Sequence, residues 1–167
     1  CSLALRDGDF DLSKTGRVRT GVFVGTTAGE IGILEKYYNF QHQKAINLFE
    51  NKNLLLFPTN CLSTNIASYF KIFGPNVVFT NACAAGNYAI GQAYDRIRVG
   101  EIDCALAGGV DGISEIVFTG FNRLLVVAPK KCQPFDKNRT GMIPGEGAGV
   151  LALESLESAL KRKAHIY

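Results

Sequence analysis

Apolar and polar positions alternate along this chain in a way that predicts strands and helices in turn. Asn76-Val-Val-Phe-Thr-Asn81 is a short β-branched and aromatic run and predicts a buried strand. Small residues follow it. Then Ala85, Tyr88, Ala89, Ala93 and Ile97 take helical spacing, which predicts a helix to Arg98 with Gly100 as its stop. Upstream, Cys1 runs into Leu-Ala-Leu-Arg, the tail of a helix, and a polar loop covers Asp7 to Gly16. The first strand is expected from about Val18 to Gly25, and two short helices within Ile31 to Glu50. Pro58 opens a segment that is helical over Leu62 to Phe70 and ends at Gly74-Pro75. Downstream, Cys104 to Gly108 predicts a buried strand with a Gly-Gly turn, and Ile113 to Leu125 contains a helix. Lys130 to Arg139 is a polar loop, and Val150 to Leu153 predicts another buried strand. Glu154 to Lys163 predicts a helix with Leu156, Ala159 and Leu160 on one face, and His165-Ile-Tyr167 starts a strand. Strands alternating with helices imply an α/β fold with a mixed or mainly parallel sheet.

Composition narrows the function classes. At 167 residues the chain can bury the core of one domain, and it contains no repeat, low-complexity segment or linker. No apolar run is long enough to cross a membrane, and no basic stretch followed by an apolar one marks a signal peptide. Net charge is +3, too small to imply nucleic acid. The groups Lys130-Lys131 and Lys161-Arg162-Lys163 read as solvated surface and a helix end that favours cations. The five cysteines, Cys1, Cys61, Cys83, Cys104 and Cys132, are odd in number and widely spaced. That argues against a disulfide framework or a metal site and suits a reducing cytoplasm.

Cys83 carries the most chemical information. It stands where the predicted strand turns into the predicted helix, so its sulfur is expected at the end of a sheet beside a helix start. Small flanking residues let backbone N–H groups approach whatever the sulfur attacks, as in a nucleophile elbow. The alternative is a buried, inert cysteine. Glu146, between Gly145 and Gly147, is expected to be close-packed and to need a partner; an exposed turn glutamate is the alternative. Gly141 to Gly149 lacks the lysine of a phosphate loop and precedes a strand, so no phosphate cofactor is implied and tight backbone packing is expected. Asp136 and Arg139 are placed to pair locally, and His42 falls in a polar helical stretch.

Several blocks resemble one family. Asn81-Ala-Cys83-Ala-Ala-Gly86 is similar to the active-site signature of β-ketoacyl-acyl-carrier-protein synthases. In the same order and spacing, Gly21-Val-Phe-Val-Gly25-Thr-Thr, Phe70-Lys-Ile-Phe-Gly74-Pro75, Ala105-Leu-Ala-Gly108-Gly109, Cys132-Gln-Pro-Phe135-Asp136 and Gly145-Glu-Gly-Ala-Gly149 resemble further blocks of that family. The resemblance implies a thiolase-like fold, a mixed sheet with helices on both faces. It implies that residues 1–167 are a partial N-terminal domain, the first half only and without its opening strand.

The resemblance also implies chemistry: Cys83 as nucleophile, Gly145 and Glu146 as support around the active site, and no cofactor. Its substrates would be acyl and malonyl thioesters on an acyl carrier protein, joined by decarboxylative condensation in fatty-acid or polyketide synthesis. The family's two catalytic histidines, a lysine and the second oxyanion donor belong to its second half. Neither His42 nor His165 takes their place, so this chain alone is expected to be inactive. A homodimer is implied, paired through about Val77 to Thr80, and the basic groups become candidates for docking the acidic carrier. Asn81, Thr140 and Met142 depart from the family pattern, and Met142 implies a differently shaped acyl pocket. Two rivals remain: a non-catalytic partner of the same fold, against which Cys83 argues, and a thiolase-like acyltransferase using coenzyme A, against which the Pro-Phe-Asp and Gly-Glu-Gly-Ala-Gly blocks argue.

Overall fold

Alternating apolar side chains organise the sheet that positions the site. The computed structural model describes residues 1–15 and 19–167, with the side chains of 14 and 15 left aside. The predicted strand start at Val18 lies outside the described residues. Strand β1 (Thr20–Gly25) is buried along its whole length. It pairs in parallel with β2 (Asn76–Phe79), Val22 opposite Asn76, and with β3 (Cys104–Asp111), Thr20 opposite Cys104. The fourth strand, β4 (Gly147–Glu154), closes the order β2-β1-β3-β4. The Ser155 N–H donates to the Asp103 carbonyl (3.3 Å), while Gly108 lies against Gly149 and Val150. As β3 advances its neighbour retreats, so this pair is antiparallel and the sheet is mixed.

The chain forms two compact units. The first comprises Cys1–Thr27, Thr59–Val110 and Ala148–Tyr167; the second comprises Ala28–Pro58 and Asp111–Gly147. In the first, the strand period of two sorts the core into two layers. Val22, Val24 and Leu106 pack with Leu5 of α1 (Ser2–Asp7) and Ala67 of α4 (Asn60–Phe70). Phe23, Ala105 and Ala107 face the other way, against Ala89 and Ala93 of α5 (Ala85–Arg98) and Ile102. Alanines on α5 admit the Phe23 ring, whose full burial contributes about 2–3 kcal/mol. Helix α2 (Leu12–Thr15) and helix α7 (Leu156–Lys161) complete the unit.

In the second unit, α3 (Ile31–His42) and α6 (Glu115–Arg123) are held together at the α6 start. Ser114 caps α6 by accepting from the Val117 N–H (3.0 Å), and the Glu35 carboxylate accepts from the Ile116 N–H (2.8 Å). Phe49 is buried against the edges of Tyr37 and Phe40.

Several elements differ from the sequence prediction, among them α2, which lies within the predicted polar loop from Asp7 to Gly16. Residues 31–50 hold one long helix and a 3-10 turn (Ile46–Leu48) instead of two helices, because Lys44 takes a left-handed conformation (φ +56°) that ends α3. Gly108-Gly109 lies inside β3 and makes no turn. Strands β2 and β4 are the edges of the sheet and not the buried strands expected: β2 has no buried residue and stops at Phe79, and Leu151 of β4 remains 50% exposed. On α7 only Ala159 is buried; Leu156 and Leu160 are 65% and 63% exposed. Residues His165 to Tyr167 form no strand; the Tyr167 hydroxyl donates to Asp7 (2.8 Å).

Candidate active site

The turn carrying Cys83 is pinned at both ends by the end of β1. At its entry, the Phe79 carbonyl accepts from the Thr26 N–H (2.9 Å). At its exit, α5 begins at Ala85, which is buried directly against Gly25. Between them a 3-10 turn, Ala82–Ala84, carries Cys83 with its side chain exposed. Ala82 has φ +57°, a left-handed conformation that costs a residue with a Cβ about 1–2 kcal/mol. The sequence prediction of an exposed sulfur at a strand-to-helix turn is met. The 3-10 turn runs directly into α5, with the Ala85 N–H donating to the Ala82 carbonyl.

Two further glycines line this exit. A Cβ on Gly109 would meet the Gly25 carbonyl oxygen and the Gly86 Cα at 3.4 Å; one on Gly86 would meet Gly109 at 3.7 Å. Gly25 and Gly109 are opposite each other in the ladder, so the last residue of β1 and its partner inside β3 are both bare beneath the first turn of α5. At the far end of α5, Gly100 takes φ +73°, the helix stop read from the sequence.

Gly145 and Glu146 belong to the second unit, whereas Cys83 belongs to the first. Glu146 is exposed and accepts a hydrogen bond from the Ile113 N–H (3.3 Å), so the close-packed glutamate expected from its glycine neighbours is not what forms. The space a Cβ would fill at Gly145, Gly147 and Gly149 is open; in this block only Gly141 is confined, with φ +141° and the Val126 carbonyl oxygen 2.4 Å from a built Cβ. The backbone of Met142 bridges to Val126 and Ala128 and its side chain is partly exposed. Asp136 accepts from Gln133 Nε2 (3.0 Å) and the Asn138 N–H (2.7 Å). Arg139 donates to the Asp136 backbone carbonyl (3.2 Å) in place of the expected carboxylate pair.

Among the basic groups, Arg162 is engaged internally. It pairs with Glu154 and donates to the carbonyls of Gly8 (2.7 Å) and Asp9 (3.1 Å). The Glu154 hydrogen bond raises its pKa further above the ordinary arginine value. Lys130, Lys131, Lys161 and Lys163 are exposed. His42 and His165 are exposed too, and His165 stacks edge-on against Tyr167. Sequence reasoning missed Gly25, Gly109 and Ala82; their importance lies in what faces them across the fold, and the strand-end position of Gly25 was the one local signal.

A mixed sheet layered between helices, with an exposed cysteine at a strand-to-helix turn, defines a class of fold that comparison makes specific. Residues 1–159 match the family described as β-ketoacyl synthase, N-terminal domain, and the chain belongs to that family. Over 155 residues it is 36% identical to a chloroplastic 3-oxoacyl-[acyl-carrier-protein] synthase I of Hordeum vulgare, covering 89% of this chain and 34% of the relative. Over 101 residues it is 44% identical to nodulation protein E of Rhizobium leguminosarum bv. trifolii, covering 60% and 25%. Among solved structures, the ishigamide ketosynthase/chain length factor superposes with TM-score 0.90 at 36% identity, over 97% of this chain and 41% of that one. A type II polyketide ketosynthase in complex with its acyl-carrier protein does so at 0.88 and 26%, over 99% and 44%. The thiolase-like fold implied by the sequence is therefore present, and the chain spans about a quarter to two fifths of the length of the relatives it matches. Among the described residues no helix is long and apolar enough to cross a membrane.

Proposed function

We propose that residues 1–167 act as a partial N-terminal domain of a β-ketoacyl-acyl-carrier-protein synthase, with Cys83 as its nucleophile. The exposed sulfur at the pinned turn before α5 is the observation that carries this reading. The Cys83 thiolate attacks an acyl thioester, the carrier thiol leaves, and the acyl group passes to the sulfur. A malonyl thioester then loses carbon dioxide, and its carbanion attacks the acyl-enzyme carbonyl. Cys83 thiolate leaves, and the product is a β-ketoacyl thioester two carbons longer. The Cys83 backbone N–H is one donor for the oxyanion of each step. The other donor and the histidines that stabilise the enolate come from outside this chain, so the chain alone does not complete the condensation.

Gly145 and Glu146 are the candidates for active-site support that the family resemblance implies; within the second unit, Glu146 accepts from the Ile113 N–H beside the start of α6. Lys130, Lys131, Lys161 and Lys163 are the candidates for docking an acidic carrier protein; Arg162, already paired, is not. The assembled enzyme is a homodimer, a reading supported by the position of β2 at the edge of the sheet. The odd number and wide spacing of the five cysteines suit a reducing cytoplasm.

The test incubates the full-length protein with an acyl-carrier thioester and maps the adduct by mass spectrometry. An acyl group on Cys83, absent in Cys83→Ala, is expected. Acylation of another residue, or none, overturns the assignment. Acylation from coenzyme A thioesters alone would favour the thiolase-like reading.

A further inference from the structure

We propose that Gly25 is a positioning residue for Cys83, acting through the first turn of α5. This inference rests on Cys83 being the acyl acceptor. A Cβ built on Gly25 would lie 2.2 Å from the Ala85 carbonyl carbon, 2.3 Å from the Gly86 nitrogen and 2.4 Å from the Ala85 oxygen. All three are backbone atoms, which cannot rotate aside as a side chain can. A side chain at position 25 therefore requires the start of α5 to move off the sheet. Gly109 closes the same floor from β3, with its own Cβ position 3.4 Å from the Gly25 carbonyl and the Gly86 Cα.

The consequence falls on Cys83 because the segment between the two anchors is short. Thr26 holds the entry of the turn at Phe79 by its N–H, and Gly25 seats the exit at Ala85. If the exit lifts while the entry stays bonded, the turn between them must reorient. Ala82 already stands in a left-handed conformation there, so the segment has little slack. The sulfur and the Cys83 N–H would then shift together relative to a bound thioester.

Gly108 supplies the internal control. A Cβ on it would meet the Gly149 carbonyl oxygen at 2.0 Å, a collision as severe, but directed at β4 and away from α5. A loss of stability alone would be shared by both substitutions; a misplaced nucleophile would not.

The experiment measures the rate of acyl transfer to Cys83 against acyl-donor concentration in the full-length protein, for wild type, Gly25→Ala, Gly109→Ala and Gly108→Ala. For Gly25→Ala the maximal rate is expected to fall roughly 10–100-fold with the half-saturating donor concentration unchanged, the scale of a misplacement near 1 Å. Gly109→Ala, which fits with a small shift, is expected to fall only a few-fold in the same parameter, on the order of three-fold. Gly108→Ala should lose thermal stability and keep the wild-type rate in its folded fraction. An unchanged rate in Gly25→Ala, or an equal fall in Gly108→Ala, overturns the inference. If Gly25→Ala does not fold, an unchanged rate in Gly109→Ala overturns it. A wild-type protein that acylates at another residue or not at all overturns the nucleophile assignment and this inference with it, whereas a wild-type Cys83 adduct with no variant effect overturns this inference alone.

Discussion

Arg19 and Asp103 form a two-bonded ion pair at the starts of β1 and β3: Nε–H donates to Oδ2 and Nη2–H to Oδ1, each at 2.7 Å. The backbone repeats the link, with the Asp103 N–H donating to the Arg19 carbonyl (2.8 Å), and Nη2 also reaches the Gly100 carbonyl (2.9 Å). The pair thus sets the register in which Thr20 lies opposite Cys104.

The Arg19 hydrogen bond holds the Asp103 carboxyl below its ordinary value of 3.8. A depressed carboxyl adds stability above its unfolded pKa and loses it as pH falls through the folded one. Asp103→Asn is therefore expected to be less stable than wild type by a constant amount near neutrality. That deficit should shrink to nothing under strong acid. Both side chains are about half exposed, so the deficit is small. Urea midpoints along an acid series check it; a deficit independent of pH would mean the pair contributes through shape alone.

Arg162 gives a larger effect because its partner is nearly enclosed. The Glu154 side chain is 9% exposed, accepts from Arg162 Nε (2.8 Å) and from the Ser158 hydroxyl (2.9 Å), and has no other cation among the described ion pairs. The guanidinium also lies over the Phe10 ring at 5.1 Å. Arg162→Met keeps the apolar stem and strands the carboxylate, at a cost of roughly 3 kcal/mol. Arg162→Lys should recover only part, since an ammonium cannot fork to Glu154 and the Gly8 carbonyl together. Denaturant titration measures the stability, and hydrogen exchange should show faster opening of Ser2–Asp7.

The parts of the fold legible in sequence are those whose causes are local. The run into Cys83 was readable because β-branched residues give way abruptly to small ones, and Gly100 because a helix stop asks for a left-handed residue. Gly108-Gly109 was misread because a glycine pair is a turn signal by itself. Its real cause is the backbone lying against each Cα: β4 against Gly108, α5 against Gly109. Leu151, Leu156 and Leu160 carry the hydrophobic pattern of a buried strand and helix, yet nothing among the described residues covers them. Pattern reports that a face is apolar, and the covering element is a separate fact. Glu146 was misjudged the same way, since flanking glycines leave open space as readily as they permit tight packing.

Ala82 is expected to show the cost of its left-handed backbone directly. Glycine adopts φ near +57° without strain, so Ala82→Gly should stabilise by up to about 1 kcal/mol despite the added freedom of the unfolded chain. Ala82→Val adds β-branching to the same strain and should destabilise by more than about 1 kcal/mol. Opposite signs in denaturant midpoints are the expected outcome; equal losses from both would show that the alanine methyl is held by packing rather than tolerated.

The free edge of β2 allows the proposed dimer to be tested at one backbone group. The carbonyls of Pro75 and Phe79 accept from Val22 and Thr26 of the β1 side, so alternate residues direct their backbone groups outward, Val78 among them. Val78→Pro deletes that outward N–H and leaves the ladder to β1 in place, which is the position where an edge strand tolerates proline. If two copies associate by pairing these edges, the variant of the full-length protein should scatter light as a monomer at concentrations where wild type is a dimer. Its circular dichroism should be unchanged. A dimer that survives Val78→Pro would place the interface elsewhere. A monomeric wild type would remove the dimer from the proposed function and leave the chemistry of Cys83 to be judged by acylation alone.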